Sequence, residues 1–252
     1  MLVTGAASGI GRAFAVSLAA QGASLVLVDV DAARLDETVS TIRSAGGAVS
    51  LRTMATDIGS AADVRQMAEE LGSHFESLDL LVNCAAILGP GAFAEQSLAD
   101  FAKVIQVDVL GTVHMIHATL PWLRRARGHV VNLASTASLH GWPLLSAYSA
   151  AKGAIENFSE AVRPELARDG VGLTAVFPLL VDTPLLQRGG LPPILRGRRI
   201  SAERVVSETL RAVERRRPRL YIPWSARLVA VVHGLAPGLL DFWGARFGMP
   251  RR

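Results

Sequence analysis

Tyr148 and Lys152 stand four residues apart at the start of a segment with helical periodicity. Positions i and i+4 share one helical face, so the phenol and the ammonium point to the same side. A free tyrosine titrates at about pH 10, and a neighbouring cation favours its phenolate. Such a phenol can exchange a proton with an alcohol oxygen near neutral pH. Ser135 precedes Tyr148 by thirteen residues, just past an apolar run, and its hydroxyl can hold the same oxygen. A Tyr-x-x-x-Lys pair alone is a weak signal, because both residue types decorate helix surfaces. It weighs more here: the chain has two tyrosines, and only Lys103 and Lys152 are lysines among its 26 basic residues.

A second cluster suits a phosphate. Thr4-Gly5-Ala6-Ala7-Ser8-Gly9-Ile10-Gly11 joins a short apolar run to a helical one. Gly5, Gly9 and Gly11 let the backbone turn sharply and approach a pyrophosphate, and the helix N-terminus offers free N–H groups to it. The spacing is G-x-x-x-G-x-G rather than the commoner G-x-G-x-x-G. Asp29 closes the next apolar run, 18 residues after Gly11. A carboxylate there can accept both hydroxyls of an adenosine ribose and repels a 2′-phosphate. Ser8 adds no positive charge, so NAD is favoured over NADP, with Arg12 and Arg34 the groups that could oppose this. The plainer alternative is that Asp29 caps the following helix.

These residues need a scaffold that alternates strands and helices. Short β-branched or Leu-rich runs at 2–3, 24–29, 49–53, 78–82, 129–133, 173–177 and 220–222 read as strands. Helical patterns fill 11–21, 32–45, 61–73, 98–125, 147–168 and 201–214. Repeated βα units imply an α/β, doubly wound parallel sheet with helices on both faces, and near-continuous apolar strands suit burial on both sides. Only residues 1–3 precede the glycine turn, which leaves open whether the first strand begins upstream.

The 252 residues suit one large domain, set at 1–223, with an extension at 224–252. The single cysteine, Cys84, forbids an internal disulfide and fits a reducing, cytoplasmic setting. No secretory signal pattern opens the chain and no apolar run reaches about 20 residues. Charge is uneven. Residues 1–184 carry 12 basic and 18 acidic side chains, residues 185–252 carry 14 and 4. The segment 184–200, with Leu185, Leu186 and 191–195, reads as an apolar, proline-stiffened lid suited to a bulky lipophilic alcohol or ketone; alternatively its leucines only pack the lid. In the extension, tryptophans and arginines flank two apolar helical stretches broken at Pro237-Gly238. That suits peripheral contact with a membrane's inner surface, or equally a pocket cover or subunit contact. No aromatic-basic stacking surface accompanies the arginines, so nucleic acid is not expected. No metal-ligand spacing occurs, and His114 and His117, on the long helix, are read as surface or subunit-contact residues rather than half of a hydrolase pair.

With those residues in hand, the chain resembles the conventional single-domain branch of the short-chain dehydrogenase/reductase family. The likeness runs to about residue 223 and rests on the glycine turn, Asp29, Asp57-Ile58, Leu78-Asp79-Leu80-Leu81-Val82-Asn83, Ser135, Tyr148/Lys152 and Pro178 to Thr183. The resemblance implies an NAD(P)-dependent alcohol–ketone oxidoreductase assembling as a homodimer or homotetramer through the helices at 98–125 and 147–168. It implies adenine contacts at Asp57 and Ile58, an adenosine-side lining of Asn83 and Ala85, and carboxamide contacts at Val181 and Thr183. Tyr148 would be the acid/base, Ser135 would polarise the substrate oxygen, and Lys152 would bind the nicotinamide ribose and lower the tyrosine pKa. A non-catalytic NAD-binding sensor is the alternative on the same fold. Four positions depart from the family. Cys84 and Ala86 replace residues of its Asn-Asn-Ala-Gly stretch, with Cys84 read as inert core. Leu179 replaces the glycine after Pro178. Asp108 falls where the family's catalytic, water-holding asparagine stands, which adds charge near Lys152.

Overall fold

The computed structural model describes residues 1–46, 50–72, 74–187, 197 and 199–247. Seven parallel strands form one sheet: β1 (Leu2–Thr4), β2 (Leu25–Asp29), β3 (Leu51–Ala55), β4 (Leu80–Asn83), β5 (His129–Leu133), β6 (Gly172–Pro178) and β7 (Arg219–Ile222). Their spatial order is β3-β2-β1-β4-β5-β6-β7. The order reverses between β1 and β4, and a crevice opens beyond the C-terminal ends of the strands at such a point.

Alternation of side chains sorts each strand between two cores. Leu25 and Leu27 of β2 join one face, Val26 and Val28 the other. The first face is covered by α1 (Gly9–Ala20), α2 (Ala32–Ser44) and α8 (Ala202–Glu214), through Phe14, Leu18, Leu35, Ile42, Val205 and Val206. The second is covered by α3 (Ala61–Gly72), α5 (Gly111–Ala126) and α6 (Ser146–Arg168), through Val64, Met67, Leu71, Met115, Leu123 and Leu166. Both faces are dry, which is the doubly wound architecture the apolar strands imply.

Several boundaries shift by one or two residues from the sequence reading, and three of the differences have a visible local setting. The third strand starts at Leu51, paired to Leu25 of β2, rather than at 49, which lies outside the described residues. The fourth starts at Leu80, because the Leu78 amide donates to the Trp122 carbonyl instead of joining the ladder. The helix expected over 98–125 is interrupted: α4 (Leu98–Val104) passes into a π-helical turn at Ile105–Leu110 before α5. Residues 184–200 are described only in part. A short α7 (Pro184–Gln187) opens the segment, and the proline-rich stretch 191–195 lies outside the described residues. Past β7, a 3-10 turn at Trp224–Ala226 leads into α9 (Arg227–Leu235) and α10 (Pro237–Phe247), bent by 111° across the break at Pro237.

Phe14 is fully buried between the sheet and α8. Phe14→Ala should cost about 3–5 kcal/mol through lost burial and the cavity left behind. Urea denaturation checks this: the midpoint should fall with the slope unchanged.

Candidate active site

The cleft at the sheet reversal is built on glycines that no other residue can replace. Gly5 has φ +65°, and a Cβ there would lie 2.8 Å from the Ala85 amide nitrogen. A Cβ on Gly11 would lie 2.1 Å from the Gly5 carbonyl oxygen. The turn is thereby folded against both the start of α1 and the end of β4. Thr4 fastens it: its Oγ1 accepts from the amides of Cys84 and Ala85 at 3.1 and 3.2 Å. Ser8 precedes α1 without a side-chain capping bond, so the first-turn amides of Gly9, Ile10 and Gly11 keep their donors toward the cleft. These are the conditions for an anion at a helix N-terminus.

Asp29 lies at the end of β2 and lines the same cleft. Its Oδ2 accepts from the Ala7 amide at 3.0 Å and its Oδ1 from the Asp31 amide at 3.2 Å. The carboxylate is thus fixed beside the turn, with lone pairs to spare. It does not cap α2; Asp31 does, accepting from the Arg34 amide. Arg12 does not reach the cleft: it bonds Thr38 and Glu37 on α2 at 3.0 and 2.9 Å. Arg34 does line the cleft, beside Asp31 at 3.6 Å. Further along are Asp57, Ile58 and Ala85. Lys103 donates to Asp57 at 2.9 Å and holds its carboxyl below the usual range. Lys103 was not among the expected site residues, although the scarcity of lysine pointed at it. The donors and acceptors of this cleft fit a dinucleotide, with pyrophosphate at α1 and a ribose at Asp29.

The sequence reading errs at Asn83. Its side chain does not line the cleft but donates to Asn132 Oδ1 at 2.9 Å, and Asn132 in turn donates to Ser159 Oγ. The amide is buried between β4, β5 and α6 and ties the two strands through its Nδ2, while its Oδ1 is buried without a partner among the described residues. Cys84 lies not in the core proper but where the cleft meets a second pocket. Burial pushes its thiol well up, which leaves it protonated and unreactive. His114 is partly buried and bonds the Ile58 carbonyl at 3.0 Å, whereas His117 is exposed.

That second pocket holds the proton-transfer residues. Ser135, two residues past β5, accepts from the Ala137 amide at 3.1 Å and lines the same pocket as the Tyr148 phenol, whose ionised form it favours. Lys152, one turn further along α6, is buried and sits with its Nζ 5.4 Å from the Tyr148 ring centre. Its ammonium donates to the Leu133 carbonyl at 3.0 Å and pairs with Asp108 Oδ2 at 3.3 Å. Asp108 sits in the π-helical turn, and its Oδ1 accepts from the Ile87 amide at 2.8 Å. Most of the remaining lining is apolar, including Leu88, Trp142, Leu145, Leu180, Leu185 and Leu186; Thr136, Thr183 and the Trp142 Nε1, unpartnered among the described residues, are its polar groups. Val181 borders this pocket, while Thr183, Ile10 and Ala86 border both cavities. Trp142 escaped the sequence reading, though its place between Ser135 and Tyr148 was a usable signal.

Electrostatics here oppose one another. Burial pushes the Tyr148 phenol up, Lys152 pulls it down, and the Asp108 carboxylate pushes it up again. Lys152 acts in the expected sense, but burial outweighs it and the net direction is upward. Burial likewise raises Asp108 against the pull of Lys152. Burial is the largest single influence on the Lys152 ammonium and would lower it, but Asp108, Tyr148 and Cys84 together outweigh burial and raise it.

Known proteins resemble this chain in sequence and in fold. A family model described as short chain dehydrogenase matches residues 1–190. An uncharacterized oxidoreductase of Staphylococcus epidermidis is 34% identical over 187 residues, 74% of this chain and 79% of its own. An 11-beta-hydroxysteroid dehydrogenase A of Sesamum indicum is 31% identical over 216 residues, 85% of this chain and 59% of its own. A short chain dehydrogenase/reductase from Burkholderia phymatum, solved with NAD, superposes with TM-score 0.83 at 28% identity, covering 100% of this chain and 96% of its own. A short-chain dehydrogenase from Sphingobium yanoikuyae, solved with NADPH, gives TM-score 0.82 at 26% identity, covering 95% and 94%.

The opposed charges make the phenol's titration a direct test. In a Tyr221→Phe background, Tyr148 is the one phenol left to follow by ultraviolet difference absorption. Asp108→Asn should move its titration to lower pH, because a carboxylate that disfavours phenolate is removed. Lys152→Met should move it to higher pH. An unmoved titration in Asp108→Asn would remove the carboxylate from the phenol's electrostatics.

Proposed function

Because the chain belongs to the short-chain dehydrogenase family, we propose that it interconverts a lipophilic alcohol and its ketone or aldehyde, with NAD(H) as the preferred cofactor and Tyr148 as the acid/base. The observation that carries this reading is the meeting of the two cavities. Ser135, Tyr148 and Lys152 lie in an apolar pocket that shares Ile10, Cys84, Ala86, Thr183 and Leu185 with the dinucleotide-shaped cleft. A substrate oxygen at Ser135 and Tyr148 is then beside whatever the cleft holds.

The bound nicotinamide supplies the hydride acceptor in oxidation and the donor in reduction. The chain's own residues move the proton. In oxidation the Tyr148 phenolate takes the hydroxyl proton as the substrate carbon becomes a carbonyl; in reduction the phenol returns it. Ser135, its lone pair engaged by the Ala137 amide, keeps its O–H for the same oxygen. Lys152 favours the phenolate and, with Tyr148, would hold the nicotinamide ribose. Asp108 fixes that ammonium and, through the Ile87 amide, ties it to the cleft wall. Val181 and Thr183 would take the carboxamide, Asp57 and Ile58 the adenine, and Ser8 to Gly11 the pyrophosphate.

Seven leucines, Trp142 and Val181 in the substrate pocket favour a lipophilic substrate over a small polar one, since each buried methylene contributes about 0.8 kcal/mol. The preference for NAD rests on Asp29, already engaged beside the turn, and on Arg34 being partnered by Asp31. A 2′-phosphate would meet the carboxylate without a free counter-charge.

Reduced-cofactor formation across a panel of alcohols of rising hydrophobicity tests the activity. Turnover should favour the larger apolar members, and Tyr148→Phe should lower it by about 10²–10⁴-fold while NAD binding persists. Substantial turnover in Tyr148→Phe would remove it as acid/base. Fluorescence titration should show tighter binding of NAD(H) than NADP(H); equal or tighter NADP(H) binding defeats the Asp29 argument.

A further inference from the structure

The C-terminal helices carry most of the large exposed apolar side chains among the described residues. Leu228, Val231 and Leu235 recur at three- and four-residue steps along α9, and Leu239, Phe242, Trp243 and Phe247 do so along α10. Such spacing puts each set on one stripe of its helix. No residue of α9 is buried, and only Gly244 of α10 is. Exposed apolar stripes of this kind mark an interaction site.

The opposite sides of the helices hold the rim of the substrate pocket. Val229 and Ala230 pack on the cluster of Ala134, Leu139 and Phe177. Gly244 lies against Pro143. The His233 ring is 5.6 Å from that of His140, which in turn meets Trp142 edge-on at 5.1 Å. Trp142 lines the pocket.

We propose that α9 and α10 seat the protein on the surface of an anionic lipid bilayer, apolar stripes inward, with the rim loop at His140–Pro143 held beside that surface. Length argues for lying in the surface rather than crossing it. Trp224–Leu235 and Pro237–Phe247 are bent by 111°, and at 1.5 Å per residue each runs about 16–18 Å, short of the roughly 30 Å hydrocarbon core. Composition argues for lipid: two tryptophans and two phenylalanines accompany the aliphatic residues, as interfacial helices require. Charge selects the occupant. From residue 215 to the C-terminus the sequence holds eight arginines and one acid, Asp241. Arg227 and Arg246 sit exposed on the two helices, Arg246 over the Phe247 ring at 5.2 Å. A symmetric contact through these helices would set Arg227 and Arg246 against their own copies, with Asp241 the one acid on the two helices. Anionic headgroups complement it. The seating would bring a membrane-dissolved substrate to the pocket rim; that consequence rests on the lipophilic-substrate reading, whereas the lipid contact does not.

Co-sedimentation with vesicles tests the contact without using activity. The full chain should sediment with phosphatidylserine–phosphatidylcholine vesicles at low salt, remain free with phosphatidylcholine alone, and be released by salt. Phe242→Ser/Trp243→Ser should weaken partitioning by more than about tenfold, and Arg227→Gln/Arg246→Gln by about fivefold per arginine. All four side chains are exposed, so circular dichroism should show an unchanged fold, and turnover of a water-soluble alcohol should persist. No sedimentation of the parent with anionic vesicles at low salt overturns the proposal, as does undiminished sedimentation of Phe242→Ser/Trp243→Ser. A parent dimer that this variant dissociates, without vesicle binding, assigns the stripes to a second copy and overturns it equally. Failure of the proposed oxidoreductase activity would leave the sedimentation results standing.

Discussion

An ammonium without water is the constraint around which this site is assembled. Lys152 is only 4% exposed. Left alone in such surroundings it would shed its proton, and with it the reason for standing beside Tyr148. Two groups prevent this: the Leu133 carbonyl at the end of β5 and the Asp108 carboxylate in the π-helical turn. Removing one partner of a buried pair typically destabilises by about 3–5 kcal/mol, because the other is stranded. Sheet, π turn and α6 are therefore bound to one another through a single side chain. The same carboxylate that retains the ammonium also opposes the phenolate, so the site balances two demands rather than meeting one fully.

The glycine turn answers a different demand, for space rather than charge. Backbone segments from three elements approach until a methyl group would not fit at Gly5 or Gly11. Thr4 locks that approach from β1, and Asp29 from β2. The cleft's shape is thus set by main chain, whereas the substrate pocket is set by large side chains such as Leu145, Leu180 and Trp142. A family can keep the first while altering the second, which is why fold and cofactor class are easier to read than substrate.

The sequence carried the parts that depend on periodicity and on rare residue types. Continuous apolar strands announced a sheet covered on both faces, and Leu25–Asp29 and Leu80–Asn83 behave so. The spacing of Tyr148 and Lys152 fixed their shared face. Long-range pairings stayed hidden. Nothing local says that Asn83 will seek Asn132, that Arg12 will turn to Glu37, or that Trp122 will take the Leu78 amide from the ladder. These are settled by which unpaired groups meet in space. Asp108 could be identified as a departure, but its direct pairing with Lys152 and the widened turn that carries it emerge only from the packed structure.

That turn, Ile105–Leu110, interrupts what would otherwise be one helix from Leu98 to Ala126. A π turn accommodates one residue more than the α-helix around it. Its length is therefore a phase setting. Excising any single residue of the six would let the helix run regularly but rotate everything beyond it by about 100° relative to what precedes it. Asp108 and the Met115–Leu123 core face could then no longer both be satisfied. Segments grafted here from other proteins must match in residue count as well as in chemistry, and a deletion that looks conservative on paper would act as a gear slipped by one tooth.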